Sequence, residues 1–303
     1  MKSHHRLDHS AFRIPPGESV SLADHDPAYS AGFRDKAKAE EALADDVSAL
    51  AEAQETLYAS GENSVLIIFQ AMDAAGKDGA IKYVMSGVNP QGCEVTSFKA
   101  PTNEELLHHY LWRPARALPP RGRIGIFNRS YYEEVLVVRV HPELLERQHL
   151  PRRHREVDLG TIWRDRYEEI NAFERMLTDN ETCLIKFFLH VSREEQRERF
   201  LKRLTEPDKH WKFSAADVRE RGHWPAYMQA YEEMLAATST ERAPWYVIPA
   251  DDKRFMRVAT AEIVAGTLDA MDLSYPELSE EERAEVARIR SALASPVEDD
   301  AVT

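Results

Sequence analysis

The sequence predicts a doubly wound α/β fold, a parallel five-stranded sheet with helices on both faces, and three observations support that reading. Five short apolar runs recur along the chain, helix-like segments of variable length separate them, and the first run, SVLIIFQ (64–70), is apolar at almost every position. Strands alternating with helices imply a parallel sheet, and an unbroken apolar run suits a central strand covered on both faces.

Taken in order, residues 1–30 read as an N-terminal extension that opens polar with MKSHHRLDHS, whose histidines look like a solvated end. No signal-peptide hydrophobic segment is visible there. Ala31 to Ser60 places Leu43, Val47, Leu50, Ala51 and Leu57 at helical spacing and reads as one long amphipathic helix. The turn residues GENS then lead into SVLIIFQ, and further strands are expected at CEVTSF, RIGIFN, TCLIKFFLH and PWYVIPA. Between them, TNEELLHHYLW and IWRDRYEEINAFERMLTDN read as sheet-covering helices, the second with Trp163, Tyr167, Ile170, Phe173 and Leu177 on one face. Residues 31–275 form the expected single domain, and 276–303 an acidic helix followed by a disordered tail.

At 303 residues and 43% hydrophobic content the chain can bury a substantial core. No run approaches the roughly 18 apolar residues of a membrane span, so a soluble, cytoplasmic protein with no membrane partner is expected. With 52 acidic residues against 39 Lys and Arg, the net charge of −13 argues against non-specific nucleic-acid binding. Any polyanionic substrate must find a local cationic groove. Cys93 and Cys183 lack metal-ligand or CxxC spacing and read as buried small hydrophobes.

SVLIIFQ runs directly into AMDAAGKDG (71–79) and then into AIKYVM, the strand, tight loop and helix order of a P-loop. Small residues at Ala74, Ala75, Gly76 and Gly79 let successive backbone N–H groups converge on a phosphate, while Lys77 supplies a point charge. Against GxxxxGK[ST], Ala71 replaces the first glycine and Asp78 the hydroxyl residue. The extra acid Asp73 would repel a phosphate unless a divalent cation stood between them, which makes it a candidate magnesium organiser. RIGIFN ends with Asn128 and Arg129 at the strand edge where open α/β sheets bind ligands, the Walker B position. An acid is expected there, yet Asn128 is present, with Glu133 and Glu134 a turn further on.

Four ordered motifs, AMDAAGKDG, FNRSYYEEVLVVRV, RLTEPDKHWKFSAADV and TSTERAPWYVIPAD, resemble the polyphosphate kinase 2 family from about Ser21 to Tyr275. The resemblance implies a thymidylate-kinase-like P-loop fold with a mobile helical lid at about 193–222. Asn in place of Asp at the second strand, followed by RSYYEEVLVVRV, is similar to the class III branch, which phosphorylates AMP and ADP from polyphosphate. It implies a magnesium-dependent reaction, with manganese as a substitute, inorganic polyphosphate and purine nucleotides as partners, and a dimer or tetramer. GMP and GDP stay open as acceptors.

In this reading Asp73, Lys77, Arg129 and Glu134 are catalytic, and Asp73, helped by Glu134, holds the metal. Arg199 and Arg203, four apart on one helix face, with Lys209 and Lys212 in the lid, bind phosphates alongside the loop residues Ala74, Ala75, Gly76, Asp78 and Gly79. Arg199 and Arg203 paired with Glu195 and Glu206 as a salt-bridged face is the plainer alternative. Arg113, Asn128, Tyr132 and Glu133 are the candidate nucleotide contacts. Trp211 either stacks on a base or packs the lid against the body, with packing the favoured reading. Two other functions fit the residues: an ATP-dependent P-loop kinase, and a non-catalytic phosphate-binding regulator.

Overall fold

The computed structural model describes residues 6–294. Five strands, β1 (Ser64–Gln70), β2 (Cys93–Ser97), β3 (Ile124–Asn128), β4 (Thr182–His190) and β5 (Trp245–Pro249), form one sheet in the order β2-β3-β1-β4-β5. Every neighbouring pair is parallel. β1 is buried at each position, with Val65 opposite Ile124 on one side and Cys183 on the other, which is why its sequence shows no polar alternation. The strand order reverses at β1, so a crevice opens beyond the carboxyl ends of β1 and its neighbours.

The helices are α1 (Lys36–Ser60), α2 (Lys77–Val84), α3 (Trp112–Arg116), α4 (Val137–Val140), α5 (Leu159–Thr178), α6 (Arg193–Thr205), α7 (Ala215–Glu220), α8 (Trp224–Thr238), α9 (Lys253–Asp269) and α10 (Glu280–Ala294). α1 starts five residues after Ala31, because Asp35 caps it by accepting from Lys38 N, and Gly61 at φ 61° ends it. Its buried face, Ala39, Ala42, Asp46, Leu50, Gln54 and Leu57, packs along α9, with Leu43 and Val47 only half-buried. α5 buries Trp163, Tyr167, Ile170 and Leu177 against β4 and α8.

Three segments depart from the sequence reading. TNEELLHHYLW is not a sheet-covering helix: it folds as a 3-10 turn (Glu105–Leu107) and the short α3, where Pro114 fits only a first helical turn. Its Leu106 and Tyr110 line a cavity instead of packing on the sheet. The N-terminal extension is docked, not solvated, over its described part. Ile14 N donates to Trp245 O at 2.9 Å and Val247 N to Phe12 O at 2.8 Å, which adds an antiparallel bridge at the β5 edge. Arg6 N and Leu7 N both donate to Glu262 Oε1 at 2.8 Å, and Arg6 pairs with Asp46, so two buried carboxylates are what this segment satisfies. Third, Cys93 and Cys183 are free thiols that are only partly buried.

α10 exposes every residue, and its first turn is capped by the reciprocal Ser279–Glu282 bonds. The expected tail lies outside the described residues from 295 onward. Among the described residues no helix is long and apolar enough to cross a membrane.

Candidate functional site

The loop from Ala71 to Gly76 joins β1 to α2 at the crevice. Gly76 has φ 115°, a conformation that strains any side chain, and a Cβ there would stand 3.4 Å from Met256. Ala74 also lies at positive φ, 61°. The turn therefore depends on small residues. Lys77 opens α2 and folds its side chain back into the loop, with Nζ 2.9 Å from Ala71 O. Burial first, then the Arg129 charge, pushes its pKa from 10.5 down to about 8, against the pull of Asp73, Glu133 and Asp78.

The carboxyl ends of β1 and β3 bring the other predicted groups together. Arg129, at φ 63°, donates to Asp73 Oδ1 at 2.5 Å and to Glu133 Oε2 at 3.1 Å. Those two carboxylates, Glu133 foremost, raise the Arg129 pKa and keep it charged. Asn128 Nδ2 donates to Asp78 Oδ1 at 2.8 Å, which accounts for the missing Walker B acid: an aspartate at 128 would confront a second carboxylate. Gly79 lies within α2, beside Arg257.

The cavity that begins at Arg129 and Glu133 has a volume of about 490 Å³ and is walled by Phe98, Leu106, Val137, Val138, Leu144 and Leu150. Arg113 stands in its far wall, donating to Lys99 O at 2.8 Å and facing Glu105.

The structure corrects three assignments. Glu134 turns away from Asp73 and accepts from Arg166 at 3.0 Å and Gln148 at 2.8 Å, so Glu133, not Glu134, shares the Arg129 side of the site. Tyr132 is fully buried, its hydroxyl donating to Glu174 at 2.6 Å and accepting from Lys186 at 3.0 Å, and Tyr131 lines the cavity in its place. Arg199 is 5% exposed and spends its donors on Glu195, Ala74 O, Ala75 O, Ala250 O and Asp251 O; it braces the loop from behind instead of reaching a phosphate.

In the segment expected to form a lid, Arg203 pairs with Asp217 at 3.3 Å, Lys209 pairs with Glu206, and Lys212 sits 5.0 Å over the Trp211 ring. Trp211 is 78% exposed, so it does not pin the lid to the body. Sequence reasoning also missed Gln196, Glu174 and Lys186. Lys186 left a visible signal, a cation in the middle of the apolar run TCLIKFFLH; Gln196 left none.

A glycine turn after the central strand, a lysine folded into it, a carboxylate within it and an arginine at the next strand end define a P-loop phosphotransferase of the kinase type. Comparison with known proteins narrows this class. The family model described as polyphosphate kinase 2 (PPK2) matches residues 33–276. An ADP-polyphosphate phosphotransferase from Rhodopseudomonas palustris is 49% identical over 282 residues, 93% of this chain and 97% of that protein. An AMP/ADP-polyphosphate phosphotransferase from Meiothermus ruber is 44% identical, covering 88% of this chain and 95% of that protein. The crystal structure of polyphosphate kinase 2 from Arthrobacter aurescens TC1 superposes with a TM-score of 0.81 at 39% identity, over 92% of this chain and 95% of that one. The chain belongs to the polyphosphate kinase 2 family.

Proposed function

We propose that this protein is a polyphosphate-dependent nucleotide kinase, moving a terminal phosphoryl group reversibly between inorganic polyphosphate and AMP or ADP. The observation that carries the reading is the Asp73–Arg129 pair at 2.5 Å beside the Gly76–Lys77 turn, with Arg129 also lining a cavity of about 490 Å³. The names of the relatives support the choice of substrates.

The acceptor is an ionised phosphate oxygen near neutral pH, so it needs no general base. What it needs is alignment and charge neutralisation. Its new P–O bond forms as the anhydride bond to the shortened polyphosphate breaks, and the departing oxygen keeps the electron pair. Lys77 and the loop amides hold the transferred group. Arg129 balances charge between donor and acceptor, and Arg203, Lys209 and Lys212 bring cations from the lid. The bond broken in polyphosphate and the bond formed in the nucleotide product are both phosphoanhydrides of similar energy, which makes the transfer reversible. The apolar cavity wall holds the nucleoside, and closure of the lid excludes water.

Among the described residues no three His, Cys, Asp or Glu side chains gather into a metal site. Asp73 alone fits a magnesium ion that takes most of its ligands from phosphate oxygens and water. When bound there, magnesium neutralises phosphate charge beside the Asp73 carboxylate.

Purified protein given AMP, magnesium and polyphosphate without ATP tests the proposal. ADP should appear, followed by ATP. Product formation only when ATP is the donor points to an ordinary P-loop kinase, and binding without turnover to a regulator.

A further inference from the structure

Two side chains of α6, one helical turn apart, reach the phosphate-binding loop from behind. Gln196, 1% exposed, donates from Nε2 to Asp73 O at 2.9 Å. Arg199 donates from Nη1 to Ala74 O at 3.0 Å and Ala75 O at 2.5 Å. Three successive carbonyls are thereby turned toward α6. In a planar trans peptide the N–H points opposite the C=O, so the N–H groups of Ala74, Ala75 and Gly76 face away from α6; that of Ala75 closes the turn on Met72 O at 3.3 Å, which leaves those of Ala74 and Gly76 for a phosphate.

Gln196 has a second partner. Its Oε1 accepts from Arg221 Nη1 at 3.0 Å, and the same nitrogen donates to Arg193 O at 2.6 Å. Arg221 opens the 3-10 turn Arg221–His223, where the chain comes back from the lid into α8. A single buried amide thus joins the backbone of Asp73 to the returning end of the lid.

We infer that Gln196 is a positioning residue that couples the lid to the phosphate-binding loop, with Arg221 as its lid-side partner. The role needs an amide. One end must donate to a carbonyl while the other accepts from a guanidinium. A glutamate would keep the Arg221 contact and set an acceptor against Asp73 O, and a methionine would keep the volume and lose both bonds. Gln196 touches no reacting atom and acts through the pose of Asp73, whose misplacement by about 1 Å is enough to cost on the order of 100-fold in rate.

The inference rests on the function proposed above only for its assay. The full chain is compared with Gln196→Met, Gln196→Glu, Arg221→Met and the double variant Gln196→Met/Arg221→Met, in polyphosphate-dependent phosphorylation of ADP. Gln196→Met and Gln196→Glu should each lose about 10- to 100-fold in kcat while the nucleotide KM stays within about threefold. Arg221→Met should lose about 5- to 10-fold in the parent and nothing further in the Gln196→Met background, because the two act through one link. Wild-type kcat in Gln196→Met with only a lowered Tm, or losses that multiply in the double variant, would overturn the inference. If Gln196→Met does not fold, the half-buried Arg221→Met decides alone, a reduced kcat at unchanged Tm supporting the link and an unchanged kcat removing it. Should the wild type reject polyphosphate, the substrate proposal fails, and the same series run with ATP as donor still tests the link.

Discussion

Lys77 illustrates how the site works against the fold. The residue is 9% exposed, and its pKa falls from 10.5 to about 8. At about 1.36 kcal/mol per pH unit, holding that charge costs the folded state about 3 kcal/mol at pH 7. Lys77→Met removes the charge at nearly constant length and also removes the donor to Ala71 O, a bond of 2.9 Å worth about 1 kcal/mol. The variant should therefore be more stable than the parent by about 2 kcal/mol at pH 7, and inactive. The unfolded chain keeps the lysine proton up to pH 10.5 and the folded chain only to about 8, so between these values the unfolded state binds more protons. The parent then gains stability as pH rises through that window, and the advantage of the variant disappears by its upper end. Denaturant unfolding of both proteins from pH 7 to 10.5, with transfer assayed alongside, measures this. A variant that is less stable at pH 7, or a stability difference that ignores pH, would refute the reasoning.

Two further outcomes follow from the corrected assignments. Tyr132→Phe removes the hydroxyl between Glu174 and Lys186 and should cost about 1–2 kcal/mol in denaturant unfolding while leaving the nucleotide KM unchanged; a raised KM would return Tyr132 to the nucleotide site. Glu133→Gln should reduce kcat by about 10-fold or more, because it loosens Arg129, whereas Glu134→Gln should act mainly on stability through Arg166; steady-state kinetics showing the reverse order would restore Glu134 to the metal side.

The sheet was readable because its signals are local. The inner strands β1, β3 and β4 are apolar runs covered on both faces, β2 is a short exposed edge strand, and the loop after β1 carries its small residues and lysine in fixed order. What escaped depends on partners distant in sequence. Arg199 and Arg203 do share a helix face, but spacing cannot say that the first is drawn 124 residues away to a loop carbonyl while the second stays with Asp217. Glu133 and Glu134 are adjacent in a 3-10 turn that sends one to Arg129 and the other to Arg166, a choice made by the turn and invisible to composition. Likewise the N-terminal extension looks polar and solvated until Glu262 and Asp46, buried on α9 and α1, are seen to require its donors.

In the function proposed above, the turn after β1 cradles a phosphoryl group whose charge Lys77 and a magnesium ion proposed at Asp73 manage together. Transfer from polyphosphate to ADP, measured across a magnesium titration for the parent, Asp73→Ala and Lys77→Ala, tests it most directly. Both variants should keep their secondary structure and lose transfer by about 100-fold or more, with Asp73→Ala alone also requiring more magnesium for half-maximal rate. Near-parental turnover in either variant, or a magnesium requirement that Asp73→Ala leaves unmoved, would contradict the account.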